Sequence, residues 1–244
     1  MRNFSNTYIF VFSIIMVTIV AVLLSFVAMQ LKPLQDMNME IERKSDILVS
    51  VGKAADASEV KDKNTYVNEE FDKYISDSYV VDYEGNTVER DAFEITLKIK
   101  EQTDQPVKDR VFPVFIYTGD EGETKYIVPV RGKGLWGPIW GYVAFNTDMN
   151  TIFGAVYDHA KETPGLGAEI NADFFEQPFK GKKIFSESGE FMSVEVVKGG
   201  TSPDNPHGVD AISGGTITSK ALEEMLSDCF EGYVNHFKSK AEAN

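Results

Sequence analysis

Between Asp210 and Ser219 the chain reads Asp-Ala-Ile-Ser-Gly-Gly-Thr-Ile-Thr-Ser, and residues 213 to 219 hold two glycines and four hydroxyl side chains. The hydroxyls of Ser213, Thr216, Thr218 and Ser219 can hydrogen-bond a phosphate. Gly214 and Gly215 let the backbone come close to a ligand. Directly afterwards, Leu222, Met225, Leu226, Cys229, Phe230, Tyr233 and Phe237 recur at helical spacing, which predicts a helix from Lys220 to about Lys238. Ser219 is the expected cap, and Glu223 and Glu224 lie near the positive end of that helix. A glycine- and hydroxyl-rich loop that opens a helix can bind phosphate through free amides. The same residues also describe a plain capped helix with a flexible lead-in, and the loop by itself leaves both readings open.

Two further stretches carry chemistry. Glu162-Thr163-Pro164-Gly165-Leu166-Gly167 is a turn, with a helix expected from about Leu166 to Gln177. Upstream, Gly132-Lys133-Gly134-Leu135-Trp136-Gly137 matches GxGxxG, the dinucleotide fingerprint. That fingerprint must open a helix, whereas here Pro138 and a strand-like run from Ile139 to Phe145 follow. A Rossmann site is therefore rejected in favour of a hairpin. It contains the only two tryptophans, Trp136 and Trp140. Their indoles either pack in the core or flank a flat aromatic ligand.

Composition removes several function classes. The net charge is −14, and Arg2 and Lys32 are the only charged residues among the first 32, so the excess acidity lies wholly in the rest. So acidic a body disfavours nucleic acid and anionic headgroups as partners. Cys229 is the single cysteine, which rules out an intrachain disulfide and a cysteine-rich metal site. His159, His207 and His236 are too scattered to mark a metal site, and none is expected.

The elements that must position these stretches follow from patterning. Tyr8–Leu31 is an uncharged apolar run of bilayer-spanning length, longer than a signal-peptide core, and is read as a retained anchor. A helical neck is expected over 33–53, ending at Gly52, then a charged stretch with a short helix around Val67–Ile75. Strands are predicted at Tyr79–Tyr83, Phe93–Ile99, Val111–Tyr117, Lys125–Val130, Ile139–Phe145, Ile152–Tyr157, Lys182–Phe185 and Met192–Val197. Pro203 to Gly208 reads as an irregular approach to the Asp210 loop. The expected class is α+β: one N-terminal transmembrane helix (1–32), a neck and extension with the first strands (33–110), and a mainly antiparallel ligand-binding domain (111–240).

Ser213-Gly214-Gly215-Thr216, preceded by Asp210, resembles the flavinylation motif Asp-x-x-Ser/Thr-Gly-Ala-Thr of the FMN-binding domain family, with Gly215 where alanine is usual. Thr163-Pro164-Gly165-Leu166-Gly167 matches that family's second hallmark, in the expected order, and the Trp136–Trp140 hairpin is similar to its glycine- and tryptophan-rich segment. Together with the anchor, the whole chain resembles the C-subunit family of sodium-translocating NADH:quinone oxidoreductases. The resemblance implies one FMN per chain, esterified to Thr216 by a flavin transferase, with Asp210, Ser213, Gly214, Gly215, Thr218, Thr163, Gly165, Leu166, Trp136 and Trp140 around it. It implies electron relay between centres of partner membrane subunits, with no catalytic residue of the chain's own, from a domain on the extracytoplasmic side of a bacterial inner membrane. The flavin subunit of Rnf-type ferredoxin:NAD complexes shares both motifs; the long 33–110 segment suits the quinone reductase better. An anchored ligand-binding or scaffold domain with an unmodified loop is the alternative from another class.

Overall fold

The computed structural model describes residues 5–57 and 59–243, which fall into two compact units divided between Glu42 and Arg43. From Asn6 onward the first unit is part of helix α1 (Asn6–Val49), and no described side chain of the apolar stretch is buried. Tyr8–Leu31 spans about 36 Å at 1.5 Å per residue, enough for a hydrocarbon core of about 30 Å. Pro33 follows that run inside the helix.

The second unit is built on a sheet. After α2 (Lys63–Tyr74) come β1 (Ile75–Val81) and β2 (Thr87–Val88), then α3 (Ala92–Leu97) and α4 (Ile99–Thr103). Four longer strands follow: β3 (Phe112–Thr118), β4 (Thr124–Lys133), β5 (Pro138–Phe145) and β6 (Ile152–His159). These strands form one antiparallel sheet in the order β2-β1-β3-β4-β5-β6. Short α5 (Asp173–Glu176) precedes β7 (Glu195–Val197) and β8 (Gly208–Asp210), a separate parallel pair, and α6 (Thr216–Ala243) closes the described chain. The class is α+β with a mainly antiparallel sheet.

Period-two alternation decides the two faces of the sheet. Val128, Val130, Ile139, Val143 and Phe145 point to one face, where α6 lies. Its seven predicted apolar positions, Leu222 through Phe237, are all buried. Phe145 meets Phe230 and Phe237 at ring distances of 5.4 and 5.1 Å, and the Tyr233 hydroxyl donates to the Pro113 carbonyl at 2.8 Å. Each such side chain contributes roughly 1.5–3 kcal/mol by leaving water. Cys229 belongs to this seam; its sulfur lies 3.4 Å from the Arg131 amide, and burial pushes its thiol up to about 12. The residues alternating with these, Trp140, Tyr142 and Ala144, occupy the opposite face, where the Arg43 guanidinium lies 4.9 Å from the Trp140 ring centre.

Several elements depart from the sequence expectations. Phe93–Ile99 is helical because Asp91 caps it: its carboxylate accepts the Glu94 amide at 2.6 Å, and Lys98 pairs with Glu94 one turn on. The expected helix from Leu166 to Gln177 is broken into a 3-10 turn (Gly167–Asn171), α5 and a second 3-10 turn (Gln177–Phe179). Pro178 cannot donate a helical bond, so α5 cannot continue through it. Lys182–Phe185 makes only isolated bridges, because Ile184 and Phe185 donate to the Asn150 side chain instead of to a strand. Strand structure in Met192–Val197 is confined to β7, whose partner β8 begins at Gly208, the end of the irregular approach.

Candidate functional site at the start of helix α6

Helix α6 begins at Thr216, four residues before its expected start. Ser219 is therefore inside the helix and is not its cap. Its amide donates to the Gly215 carbonyl, while its hydroxyl accepts the Ile212 amide at 3.1 Å and so folds the loop back onto the first turn. Gly214 has φ +79°, a conformation that favours glycine, and the Gly215 amide closes a turn to Ile212 at 3.0 Å. The amides of Thr216, Ile217 and Thr218 find no acceptor among the described residues. They are the donors that a helix start leaves free, aimed where the helix dipole favours an anion.

Glu162 organises the ground beneath this turn. It follows β6, is 4% exposed, and donates its amide to His159 Nδ1 at 3.3 Å. One carboxylate oxygen accepts the Trp136 amide at 2.8 Å; the other accepts the Thr218 hydroxyl at 2.6 Å. Two glycines make room for it. A Cβ on Gly134 would lie 2.6 Å from Oε1, and one on Gly167 would lie 2.7 Å from Oε2 and 2.2 Å from the Thr218 hydroxyl oxygen. The GxGxxG match is thus a hairpin built around this carboxylate, with the Gly134 amide closing onto the Gly137 carbonyl at 2.7 Å.

The Thr-Pro-Gly-Leu-Gly loop lies against the same turn. The Thr163 carbonyl accepts the amides of Leu166 and Ala168, both at 3.1 Å, and Gly165, at φ +74°, donates to the Glu169 carboxylate at 2.9 Å. Leu166 reaches across: a Cβ on Gly214 would meet its Cδ2 at 2.7 Å. Leu135, Trp136, Leu166 and Ile217, each at least 42% exposed, give this end of the domain an apolar rim.

A family profile described as FMN-binding domain matches residues 134–231. The NqrC protein of the Na(+)-translocating NADH-quinone reductase of Haemophilus ducreyi is 31% identical over 93% of this chain and 92% of its own length. This chain belongs to the NqrC family. The family's member from Neisseria meningitidis serogroup B is also 31% identical, over 95% of this chain and 92% of its own length. Two crystal structures of NqrC proteins superpose on the fold. That of Parabacteroides distasonis has a TM-score of 0.72 at 40% identity, covering 85% of this chain and 96% of its own. The Shewanella oneidensis protein gives 0.67 at 27%, covering 84% and 98%.

Sequence-predicted site residues fall into three groups. Thr163, Gly165, Leu166, Trp136, Gly214, Gly215, Thr216 and Thr218 come together around the first turn of α6. Within this group Thr216 is half-buried, and its hydroxyl bonds to no described residue, whereas the Thr218 hydroxyl is buried and committed to Glu162. Asp210 and Ser213 lie on the loop's outer side, lining a cavity of about 510 Å³ with Lys180 and Lys182; Asp210 accepts the Thr201 amide at 2.7 Å. Trp140 stands apart on the other sheet face. Sequence reasoning misses Glu162, although it opens the hexapeptide that ends at Gly167, and it misses the spacing role of Gly134 and Gly167. The signal that could have found them is a carboxylate and two glycines inside the hairpin and turn motifs themselves.

Proposed function

We propose that this chain is the electron-transfer subunit of a membrane sodium-pumping NADH:quinone oxidoreductase, with one FMN esterified to Thr216. Its family membership and FMN-binding domain support the relay role. The observation that carries the covalent assignment is the contrast between two threonines at one helix start: the Thr216 hydroxyl is unbonded and half-buried, and the Thr218 hydroxyl is sealed against Glu162. The free amides of Thr216, Ile217 and Thr218 fit a phosphate held there, a need made greater by the acidity of the chain. When bound, FMN supplies reversible acceptance and release of electrons. The chain's own residues orient it, shield it and neutralise its phosphate. In this reading Leu166 and Trp136, exposed on the apolar rim, cover its ring, and Ser213 and Asp210 support the loop.

No complete active site is assigned to this chain; its electron donor and acceptor are centres in partner subunits, and a flavin transferase is its partner during maturation. The anchor within α1 makes it a single-pass protein of the bacterial inner membrane with its domain on the extracytoplasmic side. Intact mass of the chain co-expressed with a flavin transferase tests the reading. Wild type is expected to be heavier by one FMN less water, with the added mass on the peptide that holds Thr216. Thr216→Ala is expected to be folded and colourless, and Thr218→Ala to keep a covalent flavin at lower yield. Flavin on Thr218, or retained in Thr216→Ala, overturns the assignment.

A further inference from the structure

We infer that Glu162 determines which threonine receives the flavin, by holding the Thr218 hydroxyl inside the fold and fixing the helix start so that Thr216 is the one presented. This rests on the proposed attachment of FMN to the loop. Ester formation needs an FMN unit activated as a phosphoric anhydride. The acceptor oxygen bonds to the flavin phosphorus, the anhydride P–O bond breaks, the hydroxyl proton goes to the leaving phosphate, and no oxidation state changes. Any threonine of the loop could serve chemically, so selection must come from access.

Glu162 supplies that selection through two bonds from opposite sides. Its Oε2 accepts the Thr218 hydroxyl at 2.6 Å and its Oε1 the Trp136 amide at 2.8 Å. Both partners are donors and each reaches a different oxygen, so the site needs two acceptor oxygens, which a carboxylate has and an amide side chain lacks. Among the described residues no lysine, arginine or histidine forms an ion pair with Glu162. Hydrogen bonds and the positive end of α6 must therefore hold its charge. With the inner side of the turn taken by this carboxylate, an incoming phosphate is directed to the outer side, where Thr216 is half-exposed. Glu162 is thus a positioning residue, acting through Thr218 and the hairpin.

The test is full-length protein co-expressed with a flavin transferase, as wild type, Glu162→Gln, Glu162→Asp and Thr218→Val, read by flavin per chain, peptide mass mapping and thermal melting. Glu162→Gln keeps one acceptor oxygen and turns an NH2 donor toward the other partner, so one of the two bonds is lost. It is expected to stay folded while flavin per chain falls at least fivefold, with a measurable share on Thr218. Glu162→Asp, which keeps two acceptors, is expected to place its flavin on Thr216 alone. Thr218→Val removes the sequestered donor without touching Glu162, so it decides the matter should Glu162→Gln fail to fold: occupancy is expected to drop at least twofold. Full occupancy confined to Thr216 in a folded Glu162→Gln, or unchanged occupancy in Thr218→Val, overturns the inference. Wild type without covalent flavin would instead remove the proposed function on which it rests.

Discussion

Gly215 stands where the family motif carries alanine, and the geometry explains why either residue can serve. Its φ is not in the left-handed region, so alanine meets no backbone bar. A Cβ there would lie 3.0 Å from Ile212 Cγ2, which can rotate away, and 3.2 Å from the Leu166 carbonyl carbon, which cannot easily move. Alanine restricts the unfolded chain, worth about 0.4–1 kcal/mol in favour of folding. It is also a poorer residue than glycine just before a helix. These effects oppose each other, so Gly215→Ala is expected to change stability by less than about 1 kcal/mol and to leave flavin attachment intact. Urea melts and intact mass check both halves; loss of the flavin would show that the loop needs the missing methyl's space.

At the scale of elements, α6 was legible because one strong apolar stripe fixes its buried face. Its start was not, because the residues that open it are glycine and threonine, poor helix formers held by tertiary bonds to Glu162 and Ile212. The long strands β3 to β6 were legible from β-branched runs, whereas α3 was hidden by residues that favour strands and was decided by the Asp91 cap. Glu162 was missed as a site residue because its partner Thr218 stands 56 positions further along the chain and only the fold brings the two together. The junction of α5 with the edge strand β6 yields a pH prediction. Glu176 accepts the Tyr157 amide at 2.7 Å, and burial, with Asp173, Asp46 and Asp158 nearby, pushes its carboxyl up to about 7. The folded state thus binds this proton more tightly than the unfolded chain does. Stability from the bound proton is full below the unfolded value of about 4.5 and is lost as pH rises through about 7. Glu176→Gln keeps the acceptor and never ionises. Discounted for partial exposure, it is expected to stabilise by about 1–2 kcal/mol at pH 8 and negligibly at pH 5. Equal gains at both pH values would refute the burial account.

For the whole molecule, the separation at Glu42 predicts what the anchor does not do. None of the described side chains of its apolar stretch is buried, so removing that stretch takes no buried side chain away. Deleting residues 1–32 is expected to give a water-soluble domain that melts within about 2–4 °C of the detergent-solubilised parent, the shift that corresponds to roughly 1 kcal/mol at this size. N-terminal sequencing of membrane-extracted protein is expected to begin at the first residues; a start after Ala28 would mean that the apolar run is cleaved.

The sealed position of Cys229 has a practical use. The one native thiol faces Arg131 inside the α6 seam, and its thiolate is strongly disfavoured, so labelling reagents that need an accessible thiolate should pass it by. A single cysteine introduced at exposed Leu135 would then be the sole reactive handle on the molecule. A spin label or fluorophore placed there would report separation from the isoalloxazine ring, or from a neighbouring protein of the membrane assembly, with no background to subtract and no native residue to remove first.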